Sequence, residues 1–186
     1  MKRIVRIMAV IAAMAVFAVS AGCSQKHKNT VIGIIQYAEH VALDSAREGF
    51  IQALKDNGYV EGENITFDYQ NAQGDQTNLS TISDRFVSNN VDLVLAIATP
   101  AAQAIAGKTN KIPILGTAIT DYVAARLAES NEKPGLNVSG TTDMNPIKEQ
   151  IELLVKLVPG AKTVGVLYTS SEDNSILQAK IAREHI

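Results

Sequence analysis

Hydroxyls, amides and carboxylates gather in a few short stretches of this chain. They are Gln36-Tyr37-Ala38-Glu39-His40, Thr99-Pro100-Ala101, Thr117-Ala118-Ile119-Thr120-Asp121 and Thr169-Ser170-Ser171-Glu172-Asp173-Asn174-Ser175. A Thr or Ser hydroxyl beside the free N–H groups of a helix start suits a carboxylate. A carboxylate such as Glu39, Asp121 or Glu172 suits an ammonium group. Together they suit a zwitterion such as an amino acid, and Tyr37 can stack on an apolar or aromatic side chain. Each group also has a purely structural reading. Thr99, Asp121 and Asn174 cap helices with or without a ligand. Tyr37 can pack inside the domain, Glu39 and Glu172 can be solvated charges, and His40 suits a surface or capping position.

Other chemistries find no residue set. No stretch pairs a nucleophile with a base. His27, His40 and His185 are far apart, and no His/Cys cluster has metal-ligand spacing. No Gly-x-Gly-x-x-Gly or P-loop pattern is present to cradle a phosphate. The expected reading is of a non-enzyme with no cofactor and no metal.

The elements that must position these stretches follow from hydrophobic periodicity. Val31 to Ile35 and Leu93 to Ala98 are apolar throughout, as in strands covered on both faces. Ile65, Phe67 and Tyr69 alternate with polar residues, which marks a strand near a sheet edge. Ile112 to Leu115 is a further strand. A helix is expected from Leu43-Asp44 to Asn57, with Ala46, Phe50, Ala53 and Leu54 inward and Gly58 ending it. Asp75 to Ser88 is a second helix, with Leu79, Ile82 and Phe86 inward. Thr99 is expected to cap a third, with Pro100 in its first turn, and Asp121 to open a short fourth. Strands and helices that alternate in this way imply a parallel sheet with helices on both faces. In such sheets ligands bind beyond the C-terminal strand ends, where all four polar stretches fall.

Asn137 to Thr142 reads as a hinge strand leaving this first lobe. Asn145-Pro146 is expected to cap a helix through Leu157 with Ile151, Leu154, Val155 and Val158 apolar, and Pro159-Gly160 to end it. Thr163 to Tyr168 reads as a buried strand, followed by a loop and a helix from about Asn174. These residues begin a second lobe without completing one.

The N-terminus has a different logic. Lys2, Arg3 and Arg6 precede an apolar segment from Ile7 to Val19, then the small residues Ser20-Ala21-Gly22 and the lone cysteine Cys23. This is the pattern of a secretory signal peptide. The apolar run is short of the roughly 20 residues needed to span hydrocarbon. Cys23 is placed to become a lipidated N-terminus, and acyl chains anchor by about 0.8 kcal/mol per buried methylene. The junction resembles a bacterial lipobox, departing from it at Ser20, where Leu is usual. Residues 1–22 are thus read as signal peptide and 23–30 as lipidated Cys and polar tether. Residues 31–142 are read as the N-terminal α/β ligand-binding lobe, and 143–186 as hinge and incomplete second α/β lobe. The chain's net charge of -2 lacks the basic excess a nucleic-acid partner requires.

Several ordered stretches resemble ABC transporter substrate-binding proteins of the tryptophan- and tyrosine-type amino-acid binding group. They include Ile32-Gly33-Ile34-Ile35-Gln36, His40-Val41-Ala42-Leu43-Asp44, Arg47-Glu48-Gly49-Phe50, Ala98 to Gln103, Asn137 to Asp143 and Val158 to Tyr168. Val41 departs from the Pro often found after the His. The resemblance implies a periplasmic-binding-protein-like fold with two Rossmann-like lobes closing on a ligand. It implies contacts from Gln36, Tyr37 and Glu39, from Thr99, Pro100 and Ala101, from Thr120 and Asp121, and from Ser170, Glu172, Asn174 and Ser175. It further implies capture of a small solute, an amino acid and by resemblance an aromatic one. Delivery would be to a membrane permease driven by an ATPase, from a lipid anchor on the extracytoplasmic face of the cell membrane. Family members continue past the length seen here, so the chain reads as C-terminally truncated relative to them. The alternatives are a ligand-sensing or interaction lipoprotein uncoupled from transport, and a non-functional fragment.

Overall fold

Uninterrupted apolar runs need cover on both sides, and here they become the middle of a sheet. The computed structural model describes residues 29–186. The expected signal peptide, Cys23 and the tether up to residue 28 lie outside the described residues. The elements in chain order are β1 (Thr30–Gln36), α1 (Val41–Asp56), β2 (Ile65–Asn71), α2 (Gln76–Ser88), β3 (Leu93–Ile97), α3 (Thr99–Ala106), β4 (Ile114–Ile119), β5 (Val138–Thr142), α4 (Ile147–Leu157) and α5 (Asp173–Glu184). The strands form one parallel sheet in the order β2-β1-β3-β4-β5. The alternating strand β2 is at an edge, as its pattern requires.

Side chains alternate across the sheet and split the core into two layers. Ile32, Ile34, Ile65, Leu95 and Ile97 face α1, whose Leu43, Phe50, Ile51 and Leu54 pack on them. Ile35, Val94, Ala96 and Ile114 face the other way, with Leu79, Ile82 and Phe86 of α2 and Ala101, Ala102 and Ile105 of α3. Phe86 lies so close to Gly33 that a Cβ there would sit 2.7 Å from its ring. Local signals fix the helix ends. His40 Nδ1 accepts from the Ala42 amide at the start of α1, and Asp75 Oδ1 accepts from the Asn78 amide at the start of α2. Gly58, at φ 85, follows the end of α1.

Several expectations are corrected. Ala53 is exposed, because α1 turns Ile51 rather than Ala53 to the sheet. β4 starts at Ile114 and runs on to Ile119, so Thr117, Ala118 and Ile119 belong to the strand and not to a loop. The helix expected at Asp121 is a turn over residues 122–126, closed by the Ala124 amide donating to Asp121 Oδ1. Residues 138–142 do not leave the lobe; they pair parallel with β4 as the far edge strand. Asn145-Pro146 does start α4, with Pro146 at the cap position, but no side chain bonds the helix start, and Asn145 reaches instead to Gln178. On α4 only Ile151 is buried, while Val155 and Val158 are exposed.

The buried strand expected over Thr163–Tyr168 is also absent. These residues pair with no strand among the described residues, and Leu167 is fully exposed. A strand is held by ladder bonds to a neighbour, and the described residues offer it none.

Candidate functional site

The strand order reverses between β1 and β3. The chain leaves β1 towards β2 on one side and leaves β3 towards β4 and β5 on the other. α1 lies on one face of the sheet, α2 and α3 on the other. The loops after β1 and β3 therefore part at the C-terminal strand ends, leaving the crevice where such sheets bind ligands. Tyr37 and Thr99 stand at that reversal.

Thr99 corrects its expected role. Ala98 is the cap residue and holds φ 83 and ψ 153, which makes Thr99 the first helical residue. Its hydroxyl is buried and has no hydrogen-bond partner. A buried hydroxyl left unpaired costs about 1–3 kcal/mol, which a bound polar group recovers. Pro100 and Ala101 are buried beside it, and Gln103 lies one helical turn further on.

The start of α5 docks against this edge. Tyr37 Oη donates to Glu172 Oε1 at 3.2 Å. Gln103 Nε2 donates to Asp173 Oδ2 at 2.9 Å and to the Ala125 carbonyl at 3.1 Å. Gln178 Nε2 approaches Thr120 Oγ1 at 3.5 Å, and Thr120 itself is buried. Asn174 Oδ1 is buried and unpartnered. Two orphaned oxygens thus belong to two helix starts, and the Gln103–Asp173 bridge ties those helices together. Burial, and then the Glu172 carboxylate, push the Tyr37 phenol above its ordinary value. It therefore stays a hydrogen-bond donor at neutral pH.

The other predicted residues divide. Gln36 is fully buried, and its side-chain amide is taken up by groups of the protein. Glu39 and Ser170 stand on exposed loops. Asp121 is occupied in its turn, and Ser175 Oγ accepts from the Thr169 amide at 2.8 Å. Sequence reasoning missed Gln103, Asp173, Gln178 and Asn145. Only Gln103 had a usable signal, its position four residues after Thr99 on one helix face.

The family model for ABC transporter substrate binding proteins matches residues 31–186. The chain belongs to that family. It is 52% identical over 155 residues to a tyrosine-binding protein of Clostridioides difficile (strain R20291), covering 83% of this chain and 44% of that one. Among solved structures it resembles an ABC domain in complex with L-Trp from Streptococcus pneumonia, with TM-score 0.80 and 41% identity over 85% of this chain and 53% of that one. It also resembles the ligand-free, open structure of a substrate binding protein with adhesive properties from Clostridium difficile. There the TM-score is 0.68 and the identity 49%, covering 84% of this chain and 53% of that one. The chain spans about half the length of these relatives. Its α/β fold is the periplasmic-binding-protein-like one, with the parallel sheet of one lobe and part of a second.

Proposed function

We propose that this chain is the solute-binding component of an ABC importer and takes a zwitterionic amino acid with an aromatic side chain. The observation that carries the reading is the pair of buried, unpartnered oxygens, Thr99 Oγ1 and Asn174 Oδ1, at two helix starts bridged through Gln103 and Asp173. The Thr99 hydroxyl at the start of α3 suits the ligand carboxylate. Asn174 Oδ1 and the Glu172 carboxylate suit its ammonium group, and Tyr37 suits its ring. Further contacts in this reading are Pro100 and Ala101 at the start of α3, Thr120 and Asp121 after β4, Ser170 and Ser175 beside the start of α5, and Glu39 after β1.

In this reading residues 31–142 form one lobe and 143–186 begin the other, and ligand bridging both favours the closed state. The relatives described as tyrosine-binding and as solved with L-Trp support the ligand class. Removal of a signal peptide and lipidation of Cys23 would hold the protein on the extracytoplasmic face of the membrane, beside a permease and its ATPase. Labelled palmitate incorporated at Cys23, and lost in Cys23→Ser, tests the anchor.

Calorimetry with L-tyrosine, L-tryptophan and L-leucine tests the ligand. The aromatic amino acids are expected to bind more tightly than leucine. Thr99→Val is expected to weaken binding about 10-fold to 100-fold, the value of a hydrogen bond to a charged group. Equal affinity in Thr99→Val would overturn the assignment of that hydroxyl.

A further inference from the structure

The side chain of Gln36 faces away from the crevice, into a polar knot between β1, α1 and β2. It has no exposure to solvent. Its Nε2 uses both hydrogens, donating to the Ala38 carbonyl at 2.8 Å and to Asp44 Oδ1 at 2.9 Å. Its Oε1 accepts from Arg47 Nη1 at 2.9 Å. The same Arg47 nitrogen reaches Asp44 Oδ1 at 3.0 Å and Tyr69 Oη at 2.7 Å, and the guanidinium lies over the Tyr69 ring, 4.5 Å from its centroid. With the Tyr69 hydroxyl also 3.5 Å from its oxygen, the Gln36 amide is taken up by groups of the protein.

The knot ends on the loop that carries Tyr37. Ala38 is the residue after Tyr37, and its carbonyl is the one Gln36 holds. The backbone of Tyr37 is tied at two more points: its amide donates to the Ile97 carbonyl at 3.2 Å, and its carbonyl accepts from the Gly74 amide at 2.8 Å. The loop is therefore fixed from one side by β3 and from the other by α1, through Gln36. Arg47 Nη1 shares its two hydrogens among an amide oxygen, a carboxylate and a phenol, and so joins Gln36, Asp44 and Tyr69 at one point.

We infer that Arg47 and Asp44 are positioning residues. Through Gln36 they lock the Ala38 carbonyl and so hold Tyr37 in its binding orientation, although neither touches the crevice. This rests on the proposed function only for its effect on ligand. The effect on the loop stands without it. Without the lock, the loop visits orientations that do not bind, and apparent affinity falls by the fraction of time it is competent.

The test is amide hydrogen exchange on the full chain without ligand, with L-tyrosine calorimetry beside it. In Arg47→Met the Tyr37 and Gly74 amides are expected to exchange at least about tenfold faster, with the Val94 amide of β3 unchanged. L-Tyrosine affinity is expected to fall about fivefold or more. Uniformly faster exchange would reduce Arg47 to a general stabilising residue. Unchanged exchange at Tyr37 and Gly74 would overturn the inference. If Arg47→Met does not fold, Asp44→Ala gives the same comparison, since it removes the carboxylate that accepts from Gln36 Nε2. If the unaltered chain binds no tyrosine while the exchange result holds, the ligand assignment fails and the positioning network stands.

Discussion

Single side chains decide how the crevice is held and where it yields. Tyr122 is buried, and its hydroxyl hydrogen is shared between the carbonyls of Gly116 at 2.9 Å and Thr141 at 3.1 Å, clasping β4 to β5. Burial first, and then the Asp143 charge, push its phenol up to about 12. A free tyrosine titrates near pH ~10. The raised value means that the folded state favours the neutral phenol. Its contribution is therefore complete below about pH 10 and is lost as pH rises towards about 12. Denaturant titrations across that range should show a steeper fall for the native chain than for Tyr122→Phe. At neutral pH Tyr122→Phe should cost about 1–3 kcal/mol, because two carbonyls lose their donor. Tyr37→Phe acts elsewhere. It removes the donor to Glu172 and should speed exchange of the Ile176 amide, which bonds the Glu172 carbonyl, by about 2-fold to 10-fold.

At the scale of elements, two close approaches set the sheet. Gly140 in β5 holds φ 153, and a Cβ there would strike the Gly116 carbonyl oxygen of β4. Gly140→Ala should therefore cost several kcal/mol, about 3 or more, by strain and by separating β4 from β5. Loss of the folded far-UV signal at a lower denaturant concentration is the measurement. Phe86 of α2 fills the hollow over Gly33, so Phe86→Ala should cost about 3–5 kcal/mol. These elements were legible because their information is local. The apolar faces of α2 and the unbroken runs of β1 and β3 need only the neighbouring residues to be read. The segment after Asp121 was not legible as a turn. Its capping carboxylate is the same whether a helix or a single turn follows, and only the clasp of its Tyr122 on β4 and β5 decides.

The whole molecule divides unevenly. The sheet lobe has two covered core layers, whereas α4, α5 and residues 164–168 enclose an open groove of about 370 Å³. Leu153, Val155, Leu157 and Leu167 are exposed in this region. Exposed large apolar side chains in such number promote association. Light scattering should show association that rises with concentration. Leu157→Lys combined with Leu167→Lys should suppress it without lowering the thermal midpoint. On the proposed function, a chain extended to the relatives' full length should bind L-tyrosine at least about tenfold more tightly than residues 1–186, equivalent to about 1.4 kcal/mol, because more of the proposed clamp would close on the ligand.

Read alone, the sequence determined the succession of strands and helices, the parallel α/β class and the clustering of polar loops at one end of the sheet. Each of these depends on periodicity or on residues a few positions apart. The tertiary structure decided which polar groups remain free. Gln36 ends one buried strand and Thr99 follows another, and both carry hydrogen-bonding side chains. One is consumed by Asp44 and Arg47, and the other is left without a partner. It also decided that residues 163–168 join no sheet among the described residues. Hydrogen-bond satisfaction and strand pairing are set by partners distant in the chain, and no local pattern encodes whether those partners arrive.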